Sequence, residues 1–404
     1  MQSNLPSLRF PEFRGDWERK TLGSIASFAK GKGITKSDIS ADGHIKCIRY
    51  GELYTYYSEL AENIKSSTHL NEDDLVLSLE NDVLIPASGE SAIDMATATC
   101  VKEKGLGLGG DINIIRSSLD GTFLAYYLNN SKRIDIARYA QGISVIHLYA
   151  AQLKLLKMCV PPTNDEAAKL GEFFSKIDEN ISLLNGKLNV LKNYKVGLLQ
   201  KLFKQEVRFN NKDGGQFPDW ERRKFKDFIT VEGKYPQGND LSPLASLTIE
   251  NGIEAKSARY VRDFLVNDEK EAYKLVDPEH FVINPMNLRF GAIAKNNAKN
   301  TVKISKYYDV FSVDDSVNAH YFELYLKSYE MMKTYHRTAT GTLEEKKRVH
   351  FSEFILFEKM MPCKKEQDKI SEIIASFDNS IENLVRKIDA IIKFKKSLIQ
   401  QMFL

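Results

Sequence analysis

The chain lacks most features that mark catalytic, secreted or membrane proteins. Its four cysteines, Cys47, Cys100, Cys159 and Cys363, are scattered, with no Cys-x-x-Cys pair. That excludes a zinc ribbon or a disulfide framework and fits a reducing, cytoplasmic setting. No apolar run reaches the roughly 18–20 residues that span a bilayer, so no membrane association is expected. Met1-Gln2-Ser3-Asn4-Leu5-Pro6 has neither the basic cap nor the apolar stretch of a signal peptide. The seven histidines include no His-Glu-x-x-His and no pair at ligand spacing, so no metal site is expected. Net charge is +3, too near neutrality to announce nucleic acid by itself. Tryptophan occurs only as Trp17 and Trp220.

Cofactor and catalytic motifs are also missing. Gly31-Lys32-Gly33-Ile34-Thr35-Lys36-Ser37 lacks the four-residue gap and Gly-Lys-Ser/Thr ending of a phosphate loop. Leu106-Gly107-Leu108-Gly109-Gly110 runs into an apparent strand at Asp111 rather than a helix, and reads as a tight turn. Asn284-Pro285-Met286-Asn287 has no aromatic residue to stack on a flipped base. Pro218-Asp219 with Glu221 and Lys224 suggests a nuclease, yet the first copy of that segment has Gly15-Asp16 instead. No catalytic residue is expected.

The chain does contain a long internal repeat. Phe10-Pro11-Glu12-Phe13-Arg14-Gly15-Asp16-Trp17-Glu18-Arg19-Lys20 returns as Phe217-Pro218-Asp219-Trp220-Glu221-Arg222-Arg223-Lys224. A period near 200 residues is far above the roughly 20–50 of solenoid units. It signals a duplicated domain and suggests a partner with two similar sites. With 43% hydrophobic residues, each half can bury its own core. Residues 1–160 read as mixed α and β, with β-rich runs at Asp74–Leu79 and Asp111–Ile115 and a helix at Thr122–Tyr139. Residues 209–361 repeat that texture. Thr163 and Glu166 form a capping box for a helix running to about Gln205. Residues 161–208 and 362–404 then form two long helices.

In the first helix Ile177, Ile181, Leu184, Leu188, Leu191, Lys195, Leu198 and Leu202 follow the 4,3 spacing of a coiled-coil seam. In the second the seam is Phe377, Ile381, Leu384, Ile388, Ile391, Lys395, Leu398 and Met402. Lys195 and Lys395 share one seam position, where each either fixes register or snorkels from the edge. The fold class is mixed α/β with an internal pseudo-two-fold: two globular domains separated by two antiparallel coiled-coil helices.

This arrangement resembles the specificity subunit of type I restriction-modification enzymes. The opening Leu8–Gly23, its copy from Phe217, and the helix endings Leu198–Phe203 and Leu398–Phe403 carry the resemblance. So does the element Gly142, Leu153, Leu156, Pro161, Pro162, Glu166, repeated as Gly341, Phe351, Phe354, Pro362, Glu366. It implies a non-catalytic DNA reader. Two target-recognition domains, 1–160 and 209–361, would each read half of a bipartite asymmetric site in double-stranded DNA, with the helices as a ruler. Two methyltransferase (modification) subunits would dock on the helices, with restriction/translocase subunits outside. S-adenosylmethionine, ATP and Mg2+ would be bound by those partners and none by this chain.

Phosphate contacts call for Lys, Arg or small polar groups on loops, and base contacts for side chains reaching base edges. In the first domain the candidates are Lys30, Lys32, Thr35, Lys36, Arg49, Tyr50, Gln141 and Ser144. In the second they are Lys234, Tyr235, Gln237, Asn287, Arg289, His336, Arg337, Thr340 and Thr342, with Lys347 and Arg348 as a phosphate clamp. Two other readings compete. A duplicated nuclease or methyltransferase is opposed by the missing motifs. A coiled-coil adaptor leaves two large, divergent domains without a task.

Overall fold

The structure is a computed structural model and describes residues 4–142, 146–237, 240–256, 273–343 and 347–404. The chain divides into two units, Met1–Lys187 with Val385–Leu404, and Leu188–Leu384. Each unit holds one mixed α/β domain and parts of both long helices.

In the first unit the central sheet is antiparallel, in the order Ala26–Lys30, Ile112–Ser117, Asp82–Pro86, Thr99–Val101. Val83-Leu84-Ile85 is buried on both faces, so it reads as a continuous apolar run rather than an alternation. A second sheet orders Ser66–Thr68, Ile45–Ile48 and Gly107–Leu108. Glu18–Thr21 pairs with Lys157–Val160. In the second unit the corresponding sheet is Ile229–Glu232, Asp309–Val313, Phe281–Ile283, Ile293–Lys295. There Glu221–Lys224 pairs with Glu358–Met361. The helices against these sheets have matching caps. Asp120 accepts from the Phe123 amide to start Gly121–Ser131, and Asn318 accepts from the Tyr321 amide to start Ala319–Leu326.

The long helices span Asn164–Phe203 and Lys364–Met402. Forty residues at 1.5 Å each make the first about 60 Å long. None of the apolar seam residues Ile177, Ile181, Leu184, Leu188, Leu191, Leu198, Phe377, Ile381, Leu384, Ile388, Ile391 and Leu398 is exposed. The segments run antiparallel within each unit. In the first, Phe174 meets Phe403 at 5.3 Å between ring centroids, and Lys395 donates to Asp178 at 2.6 and 2.7 Å. In the second, Tyr194 meets Phe377 at 5.5 Å and Lys195 donates to Asp378. Both seam lysines thus pair with an aspartate of the opposite segment. The repeated endings also have a physical role. Phe403 packs on Phe123 and Tyr127, and Phe203 on Tyr321 and Tyr325.

A duplicated clamp joins the start of each domain to the start of a long helix. Glu166, 1% exposed, accepts Arg9 Nε at 2.6 Å, Arg9 Nη2 at 2.7 Å and Trp17 Nε1 at 3.2 Å. Glu366, also 1% exposed, accepts Arg208 Nε at 3.0 Å, Arg208 Nη2 at 2.8 Å and Trp220 Nε1 at 3.2 Å. Glu166 therefore does not close the expected capping box on Thr163; its carboxylate is taken by the clamp.

Three further expectations are corrected. Asp74–Leu79 is not a strand. Glu72–Asp74 is a 3-10 turn, and beyond it the chain makes one short bridge, with the Ser78 amide on Leu106 O at 2.9 Å and the Leu108 amide on Val76 O at 2.8 Å, before the Leu79 amide turns to the Asp82 carboxylate. The helix at Thr122–Tyr139 breaks at Lys132 into Gly121–Ser131 and Arg133–Tyr139. Near the break Asn129 bonds both backbone groups of Ala98, and Asn130 turns back onto Tyr126. Leu106–Gly110 is not simply a turn, because Gly107–Leu108 pairs in parallel with Cys47–Ile48.

Candidate nucleic-acid interface

In the first unit Lys30 ends a central strand, and the glycine loop beyond it is zipped to the second glycine segment. The Lys32 amide donates to Leu108 O at 3.0 Å and the Gly110 amide to Gly33 O at 2.8 Å. A Cβ on Gly31 would lie 2.0 Å from Gly109 O, so the approach of the two backbones excludes any larger residue. These amides are committed to each other and do not cradle an anion. Lys30 and Lys32 project from this base; Lys30 lies 3.5 Å from Asp111. Thr35 donates from its amide and hydroxyl to Asp38, capping the turn Lys36–Asp38, and Lys36 is exposed. Arg49 turns inward. It donates to Glu52 from its amide at 3.0 Å and its guanidinium at 3.2 Å, balancing a buried carboxylate that also accepts from Ser66. Tyr50 is exposed beside it.

A hollow of about 360 Å³ lies beside Lys30, lined by Phe28, Asn113, His147, Tyr149 and Lys154. Gln141 exchanges two backbone bonds with His147, at 2.9 and 2.7 Å. Ser144 lies outside the described residues. Sequence reasoning missed His147, Tyr149 and Lys154, which have no motif of their own.

In the second unit Lys234 pairs with Asp277 at 2.6 Å, which raises the lysine above and holds the aspartate below their ordinary ranges. Tyr235 and Gln237 are exposed on the same segment. A second group forms where the turn Leu288–Phe290 packs on the helix Tyr329–Thr338. The Phe290 ring lies 6.0 Å from that of His336. Asn287 and Arg337 are exposed. Beyond the helix Thr340 and Arg348 exchange both backbone bonds at 2.9 Å, and the Val349 amide donates to Pro285 O at 3.1 Å. The chain thus returns beside the turn, with Thr342 exposed and Lys347 half-buried. Arg289, expected at the surface, is only 5% exposed; its guanidinium lies 4.5 Å from the Phe290 ring. It supports the turn from beneath.

Among the described residues no group of three or more His, Cys, Asp or Glu could hold a metal ion. Burial pushes the Cys47 thiol up to about 11 and Cys100 up to about 12, so neither supplies a thiolate nucleophile. No described helix is long and apolar enough to cross a membrane.

Residues 14–193 match the family model of the type I restriction modification DNA specificity domain. That match covers somewhat under half of the chain. The type I restriction enzyme MjaVIII specificity subunit of Methanocaldococcus jannaschii is 26% identical over 236 residues, 56% of this chain. The match spans about half, 52%, of that relative. The crystal structure of a type I restriction-modification S subunit from M. genitalium matches with a TM-score of 0.59 at 13% identity, over 99% of both chains. A structure solved to explain complex assembly and conformational transition of the type I system matches at 0.53 and 12% identity, over 96% of this chain and 97% of that one. At these identities the solved structures show a shared fold and nothing more.

Proposed function

We propose that this chain is the non-catalytic DNA-reading subunit of a type I restriction-modification complex. Each domain, 1–160 and 209–361, reads one half of a bipartite asymmetric site. The two helices set the spacer and dock two methyltransferase subunits. A helix of about 60 Å is long enough to act as a ruler between grooves one DNA turn, about 34–36 Å, apart. S-adenosylmethionine, ATP and Mg2+ belong to the methyltransferase and restriction/translocase partners. The observation that carries this reading is the duplication of framework without duplication of loops. The Arg–Trp–Glu clamp, the helix caps and the seam Lys–Asp pair recur in both units. The groups at the candidate interface differ: Lys30, His147 and Tyr149 in one unit; Asn287, His336 and Arg348 in the other. Two different half-sites require such a division.

The test is a methylome. The chain is expressed with its methyltransferase subunit in a host lacking adenine methylation, and the DNA is sequenced with modification-sensitive reads. A split motif with methyladenine on both strands is expected. Methylation at one continuous motif would reject the two-domain ruler. No methylation by an assembled complex would reject the DNA-reading assignment.

A further inference from the structure

Superposing the two domains by their hydrogen-bond registers brings one pair of loops into correspondence. Gln141 and His147 exchange both backbone bonds, as do Thr340 and Arg348. The residue after each pair is buried and anchored to an equivalent strand end, Leu148 to Ala87 O at 3.0 Å and Val349 to Pro285 O at 3.1 Å. Each loop carries a glycine at positive φ just after its first paired residue, Gly142 at 140° and Gly341 at 156°. Each ends as the N-cap of a one-turn helix, Tyr149 before Ala150–Leu153 and His350 before Phe351–Phe354. The strand register also aligns Asn113 with Asp309. Asn113 donates to Leu148 O at 2.9 Å, and Asp309 lies where it senses His350.

The base of the loop is therefore shared, whereas its length and its outward residues are not. Four residues part Gly142 from His147, and six part Gly341 from Arg348. Position 147 is an imidazole that stacks on Tyr149, with centroids 6.0 Å apart and planes at 21°, beside the hollow that Lys30 also lines. Position 348 is an exposed guanidinium with no hydrogen bond or ion pair to any described residue. A doubly bonded backbone pair holding a variable side chain is suited to reading a base edge, because the backbone that carries the side chain is fixed before binding.

We propose that His147 and Arg348 are the equivalent specificity-determining positions of the two half-sites. Arg348 reads a guanine through the bidentate geometry its fork allows at O6 and N7. His147 makes a single hydrogen bond to a base edge and discriminates less. This rests on the DNA-reading assignment above.

The test uses the complex with the methyltransferase and compares methylomes of wild type, R348A, R348K and H147A. R348A should lose a guanine requirement at one position of one half-site and leave the other half-site unchanged. R348K, a cation without the fork, should lose the same requirement. H147A should relax one position of the other half-site. A wild type without a split motif would reject the DNA-reading assignment itself. A split motif unchanged in both Arg348 variants would reject only this inference. If R348A methylates nothing, binding of the R348K complex to duplexes carrying each base at every guanine position of the half-site decides. Wild type should prefer guanine at one position by about 5- to 150-fold, the equivalent of 1–3 kcal/mol, and R348K should not. A preserved preference at every position would overturn the proposal.

Discussion

Replacing Glu166 with alanine should unfold the first unit more readily by about 3–4 kcal/mol. The carboxylate is buried and holds three donors, two from Arg9 and one from Trp17. Removing one partner of a buried ion pair costs about 3–5 kcal/mol, because the other charge is left uncompensated. Two features pull the figure to the low end. The Arg9 side chain is 15% exposed, so water reaches it, and it also donates to Gly15 O at 2.6 Å. The Trp17 indole N–H has no such outlet and adds about 1 kcal/mol. In a unit of this size each kcal/mol lowers the melting midpoint by about 2–4 °C, so a fall of roughly 6–16 °C is expected. E166Q keeps an acceptor for Trp17 and should lose about half as much. The two tryptophans make the assay selective: in a W220F background Trp17 is the sole tryptophan, and urea unfolding followed by its selectively excited emission reports the first unit. The double-mutant cycle with R9A should show coupling of at least 1 kcal/mol. A loss below about 1 kcal/mol in E166A, or additivity in the cycle, would refute the clamp as an energetic unit.

Other expectations follow from equally local geometry. Burial holds the Asp309 carboxyl above its ordinary range, against the opposing pull of Lys274 and His350. The folded state therefore binds that proton more tightly than the unfolded chain, and its contribution to stability is lost as pH rises through the folded value. D309N should raise the unfolding midpoint at pH 7–8 and change little below about pH 3.5, where the carboxyl is neutral in both states. A Cβ on Gly171 would lie 2.5 Å from Asp120 Oδ1 and 2.8 Å from the Phe123 amide, while one on Gly186 meets nothing within 4 Å. G171A should thus destabilise by about 1–3 kcal/mol, and G186A should stabilise by up to about 1 kcal/mol, both measured by denaturant unfolding. K195D should weaken the second unit by about 1 kcal/mol by setting two acids face to face, and K195D/D378K should recover most of it; a double variant no better than the single would refute the pairing.

The long helices were legible because their seam spacing is a direct image of helix geometry, and Lys195 and Lys395 kept that spacing in both copies. The tryptophans were legible as a repeated pair, but the arginine half of each clamp was not. Arg9 stands eight residues before Trp17, whereas Arg208 stands twelve before Trp220, so matching the Phe-Pro dipeptides aligned Phe10 with Phe217 and left the arginines out. Asp74–Leu79 failed for a different reason. Its alternating leucines satisfy the period of a strand, yet Leu79 is 50% exposed and Leu77 makes only an isolated bridge to Gly107. The pairing stops at Ser78, because the next amide, that of Leu79, goes to the Asp82 carboxylate.

The same contrast explains why candidate contacts were harder to find than the frame that carries them. Arg289 and Arg337 stand out in the sequence as cations in apolar or small-residue surroundings; Arg289 turns inward beneath an aromatic ring, whereas Arg337 is exposed. A cation that needs a local partner is recognisable in sequence because its neighbours betray the partner. His147 carries no signal beyond its distance from Gly142, and Arg348 stands in a mixed run of acids and bases, Glu344 to Lys347, that does not single it out. Only the second copy of the domain makes such a residue visible, by showing the same backbone bonds beneath a different side chain. The duplication thus separates what holds each unit together from what is free to differ between them.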